Sequence, residues 1–106
     1  MNAYRFRHDI LDALSSTPDA RLIVLEATGI LEVDFTAAQI LGDLIRRCHA
    51  NGVAFAVARL ESQRARDALA RFGIDRELGP DRTFRSVEDA IQALASAAHA
   101  QPRTVR

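Results

Sequence analysis

The N-terminal part of the chain changes from a helical to a strand-like pattern of apolar residues. Within residues 4–15, Phe6, Ile10 and Leu14 recur every four positions with charged residues between them, which predicts an amphipathic helix. Residues 22–25 then form an unbroken run of branched apolar side chains. Such a run is typical of a strand buried on both faces, so we expect a parallel sheet covered by helices.

The same two patterns alternate along the rest of the chain. We predict, in order, a helix over residues 36–50, a strand over 53–58, a short helix after the N-cap Ser62, a turn-rich segment over 74–82, a short edge strand over 83–84 and a last helix capped by Ser86. This order predicts an α/β fold, a layer of mostly parallel strands with about four helices. Gly42 lies inside a predicted helix, where it costs about 1 kcal/mol relative to Ala, so we expect a close packing contact there.

Composition indicates one small domain and removes several classes of chemistry. A chain of 106 residues, 48% of them hydrophobic, suits a single core. Its 14 basic residues are all Arg and balance 14 acidic residues. Nothing therefore points to nucleic-acid binding, and lysine-dependent catalysis is excluded. Cys48 has no disulfide partner, and His8, His49 and His99 stand far apart, so we expect no metal and no other cofactor.

Two predicted loops are the places where a ligand of this fold would bind. They cover residues 27–36 and 59–62 and follow the two clearest strands, and open parallel sheets bind ligands beyond the carboxyl ends of their strands. Asp34 and Thr36 stand at the start of the helix that follows the first loop. Either side chain could simply cap that helix. Alternatively, a phosphate on Thr36 would meet free backbone N–H groups and the positive end of the helix dipole.

Other polar groups near these loops have two interpretations each. Three carboxylates could hold a hard cation if they converged, namely Glu26, Glu32 and Asp34. Three guanidinium groups could bind an anion or form a solvated helix face beside neighbouring acids, namely Arg59, Arg64 and Arg66. Cys48 lies on an apolar stripe and is interpreted as a core residue rather than a nucleophile. Because no acid, base or nucleophile has a partner, we expect no catalytic residues and no enzyme activity.

Several segments together resemble a STAS domain over residues 2–95. The segments that carry the resemblance are RLIVLE (21–26), VDFTAA (33–38), GVAFAVA (52–58), LARFGI (69–74), TF (83–84) and SVEDA (86–90). The resemblance implies a non-enzymatic regulatory module. Members of this family are soluble anti-sigma-factor antagonists or the cytoplasmic C-terminal domains of SulP-type anion transporters.

The loop that carries the family signature is Asp34, Phe35, Thr36 and Ala37. In the antagonist branch this loop reads Asp-Ser-Ser/Thr-Gly, and a partner kinase phosphorylates its third position, which corresponds to Thr36. Phe35 and Ala37 depart from that pattern and resemble the transporter branch more closely. The resemblance also implies an anion or nucleotide site formed by Asp34, Thr36 and Arg59.

These observations combine into one set of expectations. We expect a single STAS domain over residues 1–98 that lacks the first strands of the family fold, followed by a flexible tail over 99–106. An exposed sheet edge would then favour a homodimer. The expected function is regulation of a SulP-type sulfate or anion transporter through its membrane domain, with the chain in the cytoplasm at the inner face of the membrane. The alternative is a soluble anti-sigma-factor antagonist that an anti-sigma kinase phosphorylates at Thr36.

Overall fold

The computed structural model describes residues 3–98 and 101–105, which form one sheet with helices on both faces. The helices are α1 (Ala3–Ser16), α2 (Phe35–Ala50), α3 (Gln63–Arg71), α4 (Ile74–Leu78) and α5 (Val87–Ala98). The strands are β1 (Ala20–Glu26), β2 (Ala54–Ala58), β3 (Thr83–Phe84) and β4 (Gln101–Val105). They lie in the order β3-β2-β1-β4, and every pair is parallel. No helix in the described ranges is long and apolar enough to cross a membrane.

The central strand β1 separates two apolar layers, as its continuous apolar run predicts. Ile23 and Leu25 face a core formed with α1, α2, α3 and α4. Leu22 and Val24 face the opposite layer, which α5 covers. All four side chains are at most 3% exposed. The prediction of a parallel sheet with a strand buried on both faces is therefore confirmed.

The last strand, β4, occupies residues 101–105, within the segment that was predicted to be a flexible tail. Residues 101–105 pair in parallel with the edge of β1 that faces away from β2, with Leu25 opposite Val105. Val105 packs in the larger core. The pairing satisfies backbone groups of β1 that would otherwise lack partners, and β1 consequently lies inside the sheet. The edge strands are β3 and β4.

The short helix α4 is a second difference, because residues 74–82 were predicted to be turn-rich. Ile74 and Leu78 stand one helical turn apart, and both side chains are buried in the core. Gly73 and Gly79 flank this turn with φ angles of +77° and +89°, which suit glycine. The structure therefore has five helices in its described residues, rather than about four. A single turn is too short to produce a helical periodicity in the sequence.

The predicted caps and the packing at Gly42 are confirmed. The Ser62 hydroxyl accepts a hydrogen bond from the amide of Ala65 at 3.2 Å, and the Ser86 hydroxyl caps α5 in the same way. A Cβ atom at Gly42 would lie 3.2 Å from Cδ1 of Ile74. The missing side chain thus allows α2 and α4 to approach each other closely.

Candidate functional site

The loops that follow β1 and β2 meet at the carboxyl end of the sheet, as their positions predicted. The Ser62 hydroxyl donates a hydrogen bond to the carbonyl oxygen of Leu31 at 2.8 Å. Arg64 forms an ion pair with Glu32 at 2.7 Å. These two contacts hold the first loop against the start of α3.

At the start of α2, the structure assigns different positions to the two residues predicted to cap it. Asp34 is the N-cap, and its Oδ1 accepts a hydrogen bond from the amide of Ala37 at 2.8 Å. Thr36 is the second residue of the helix, and its side chain is exposed. The described residues offer no hydrogen-bond partner to the Thr36 hydroxyl. Capping by Asp34 therefore leaves this hydroxyl accessible in the first turn of α2.

The two signature positions that depart from the antagonist pattern have different environments. Ala37 is buried in the core, where its small side chain packs beneath the helix. Phe35 is 55% exposed, and its ring contacts Phe72 edge-on with the ring centres 5.8 Å apart. Leu31, in the preceding loop, is 67% exposed. The start of α2 consequently presents large apolar side chains to solvent beside Thr36.

The three carboxylates considered for a cation site do not converge. Glu26 accepts a hydrogen bond from the amide of Thr28 at 2.9 Å, Glu32 pairs with Arg64, and Asp34 caps α2. Within residues 3–98 and 101–105, no three acidic, His or Cys side chains are placed to hold a metal ion. These acids serve local structure instead.

A cavity of about 600 Å³ opens beyond the carboxyl ends of β2 and β3, beside α3 and α4. Its lining includes Arg59, Arg66 and Arg85. Asp34 and Thr36 are not part of this lining. The structure therefore places only Arg59, of the three residues predicted to bind an anion or nucleotide, at the cavity.

Arg59 has an unusual backbone conformation at this cavity. Its φ angle is +61°, a left-handed value that residues other than Gly, Asn and Asp rarely adopt. Its amide donates a hydrogen bond to the carbonyl oxygen of Phe84 at 2.9 Å. The bond fixes the end of β2 against the end of β3.

The other arginines near the second loop separate into two groups. Arg66 lines the cavity, and its Nε donates to the carbonyl oxygen of Leu60 at 2.6 Å. Arg64 pairs with Glu32 and does not line the cavity. Arg85 lines it but was not among the predicted site residues. It directly follows β3, and ligands of open parallel sheets bind beyond the carboxyl ends of the strands. The position of Arg85 after the predicted edge strand over 83–84 was therefore a signal in the sequence.

Cys48 is a core residue, as its position on the apolar stripe predicted. The side chain is fully buried on α2. Burial raises the pKa of the thiol to about 11. His8 and His49 are exposed, whereas His99 lies outside the described residues.

Comparison with known proteins identifies a family for this chain. The model of the STAS domain family matches residues 1–90. Two Mycobacterium tuberculosis proteins, each named "Probable sulfate transporter" and found in strains CDC 1551 and H37Rv, are 32% identical to it over 94 residues. The alignment covers 88% of this chain and 17% of each relative. The chain thus spans only about one sixth of the length of these relatives.

Solved structures show the same fold. A sulfate transporter family protein from Wolinella succinogenes superposes with a TM-score of 0.73 at 22% identity, covering 91% of this chain and 78% of that one. The STAS domain of a SulP transporter from Vibrio cholerae gives a TM-score of 0.71 at 21% identity, covering 93% and 74%. Together with the signature loop at the start of α2, the match to the family model over residues 1–90 shows that the chain belongs to the STAS domain family.

Proposed function

We propose that this chain is a non-enzymatic regulatory module of a SulP-type sulfate or anion transporter, or a stand-alone relative of such a module. The main support is its similarity to sulfate transporters over 88% of its length. The shared fold with a SulP transporter STAS domain supports the same conclusion. This function puts the chain in the cytoplasm, at the inner face of the membrane, with the membrane domain of a transporter as its partner.

The chemistry of the described residues supports a role without catalysis. Arg cannot act as a general base near neutral pH. The thiol of Cys48 is buried, and its pKa is raised well above neutrality, which keeps it protonated and unreactive. Asp34 and Glu32 are engaged in a helix cap and an ion pair. Binding is therefore the activity that we assign to the module.

The docking surface that we assign to the membrane domain is the start of α2 with the loop before it. Leu31 and Phe35 are exposed there. Exposed large apolar groups of this kind are common at interaction sites. The carboxyl end of a parallel sheet is also where this class of fold binds its ligands.

Binding to a purified membrane domain tests this proposal. The membrane domain of a mycobacterial sulfate transporter, freed of its own STAS domain and held in lipid nanodiscs, would be titrated with the fluorescently labelled chain. We expect saturable binding, weakened at least fivefold by the double substitution Leu31→Ser and Phe35→Ser. Tyr4→Ser removes another exposed aromatic residue and is the matched control. Failure to bind, under conditions in which the transporter's own STAS domain binds, would contradict the proposal.

The exposed hydroxyl of Thr36 favours one second candidate, a soluble anti-sigma-factor antagonist. A phosphate on this residue would lie in the first turn of α2, close to backbone N–H groups at the positive end of the helix. Incubation with anti-sigma kinases and ATP, followed by intact-mass measurement, tests this function. Addition of one phosphate to the natural chain but not to the Thr36→Ala variant would support the antagonist function. An unchanged mass of the natural chain would contradict it.

A homodimer through a sheet edge is a further part of the proposal. The edge strands β3 and β4 carry backbone groups that a second copy could pair with. The two-residue β3 is too short for extensive pairing, so we assign the contact to β4. Light scattering over increasing concentrations would show a dimer, and a constant monomer mass at millimolar concentration would contradict this contact.

A further inference from the structure

The cavity beyond β2 and β3 has an apolar floor. Leu60, Leu69 and Leu78 line it with buried side chains that belong to the larger core. Its volume of about 600 Å³ lies within the range of pockets that bind small organic molecules. The floor therefore provides a surface for the apolar part of a ligand.

The charged side chains of the cavity give it a small positive excess. Three guanidinium groups line it, from Arg59, Arg66 and Arg85, against the carboxylates of Glu61 and Asp75. In the described part of the chain, the side chains of Arg59 and Arg85 form no hydrogen bond or ion pair. Both groups are exposed and available to a ligand. An excess of one positive charge suits a ligand with one negative charge better than a polyphosphate.

The backbone of Arg59 adds a second observation at the same place. A left-handed conformation is unfavourable for Arg and persists only where the surrounding structure enforces it. Here the hydrogen bond from its amide to Phe84 holds the residue in this conformation at the cavity. Strained residues of this kind are concentrated at binding sites.

We propose that this cavity binds an organic carboxylate, with the carboxylate paired to Arg59 and Arg85 and the apolar body against Leu60, Leu69 and Leu78. Guanidinium groups bind carboxylates through paired, charge-assisted hydrogen bonds. The site differs from the signature loop, because neither Asp34 nor Thr36 lines it. The proposal does not depend on a transporter partner, so its failure would leave the proposed function untouched.

Nuclear magnetic resonance of the ¹⁵N-labelled chain tests the ligand class. Phenylacetate is the probe, phenylacetamide has the same shape without the charge, and acetate has the charge without the ring. We expect phenylacetate to shift the amide signals of Leu60, Phe84 and Arg85 saturably, at least tenfold more tightly than either control compound. Equal binding of phenylacetamide or acetate, or no saturable shift with phenylacetate, would overturn the proposal.

Adenosine monophosphate is a further arm of the same experiment. If the same amide signals show that this nucleotide binds more tightly than phenylacetate, the natural ligand carries a phosphate rather than a carboxylate. That result would overturn the assignment. Weaker binding supports it, because the cavity has only one excess positive charge.

Three variants test the residues. Arg85→Gln and Arg59→Gly should each weaken phenylacetate binding at least fivefold, and Arg64→Gln should leave it unchanged because Arg64 lies outside the cavity. Arg59→Gly also suits the left-handed backbone, so it removes the side chain without disturbing the fold. Undiminished binding by the Arg59→Gly and Arg85→Gln double variant, with an otherwise natural spectrum, would overturn the proposal.

Discussion

The amide of Arg59 donates a hydrogen bond to the carbonyl oxygen of Phe84 at 2.9 Å, and this bond joins the end of β2 to the end of the two-residue strand β3. A second bond, from the amide of Val57 to the carbonyl oxygen of Arg82, joins the same two segments. Arg59 forms its bond with a φ angle of +61°. The cavity that follows β2 thus begins at a residue held in an unfavourable conformation.

Replacement of Arg59 by glycine should leave the domain equally stable or up to about 1.5 kcal/mol more stable. The left-handed conformation costs a side-chain-bearing residue about 1–2 kcal/mol, whereas glycine adopts it freely but loses about 0.5–1 kcal/mol through greater freedom of the unfolded chain. Urea denaturation of Arg59→Gly would measure the difference. Arg59→Val is the control and should be less stable than the natural chain, since β-branched residues tolerate this conformation poorly. A loss above about 1 kcal/mol in Arg59→Gly would refute the strain at this position.

Removal of the cap of α2 should destabilise the domain by about 1 kcal/mol. Asp34 accepts a hydrogen bond from the amide of Ala37, and loss of an N-cap usually has a cost of this size. Thermal or urea unfolding of Asp34→Ala would show the decrease. Asp34→Asn should retain most of the stability because Asn also caps well, and Thr36→Ala should have little effect. Equal stability of Asp34→Ala and the natural chain would contradict the capping role.

The buried thiol of Cys48 should make the domain less stable at alkaline pH. Burial raises the pKa of this thiol from 9.0 to about 11. Between these values the unfolded chain loses the thiol proton while the folded chain keeps it, so the free energy of unfolding falls as the pH rises. The full decrease is about 2–3 kcal/mol, at about 1.4 kcal/mol per pH unit.

Urea unfolding at pH 8, 9, 10 and 11 would measure this effect. Cys48→Ala is the control because it lacks the titrating group, and its stability should decrease less over the same range. A thiol reagent at pH 8 should also modify the natural chain only after unfolding. Rapid modification of the folded chain would contradict the buried position of Cys48.

A larger side chain at Gly42 should separate α2 from α4. A Cβ atom there would lie 3.2 Å from the Cδ1 atom of Ile74, so Gly42→Leu should destabilise the domain by about 1–3 kcal/mol through overpacking. Gly42→Ala is the matched comparison, because its gain in helix propensity of about 1 kcal/mol offsets a small shift of Ile74. Unfolding curves of the two variants would distinguish the effects. A Gly42→Leu protein as stable as Gly42→Ala would show that α4 does not restrict this position.

The sequence predicts those elements whose formation depends mainly on residues that are neighbours in the chain. The run at residues 22–25 indicates the doubly buried strand, and Ser62 and Ser86 indicate helix starts, because these signals depend only on neighbouring residues. Two elements escape such signals. The helix α4 has a single turn, and β4 contains Pro102 and has no apolar alternation. Its position depends on pairing with β1, which is distant in the sequence.

The candidate site shows the same division between local and distant information. Asp34 and Thr36 are recognisable because capping and helix dipoles are properties of one helix end. The cavity combines Arg59 with Arg85, which are separated by α3 and α4 and come together only because β2 and β3 are neighbours in the sheet. Carboxyl-end loops could be predicted, but not which of their side chains would share a cavity.

The most direct test of the proposed function is sulfate uptake by a transporter that carries this chain in place of its own STAS domain. The host would be a mycobacterial sulfate transporter produced in cells without other sulfate uptake, and radioactive sulfate would be counted. A chimera with Leu22→Asp, which places a charge in the sheet core, is the matched control. We predict that deletion of the transporter's own STAS domain lowers uptake and that the chimera recovers it. Uptake that stays at the level of the deletion, with the chimera present in the membrane in normal amount, would contradict a transporter-regulating role.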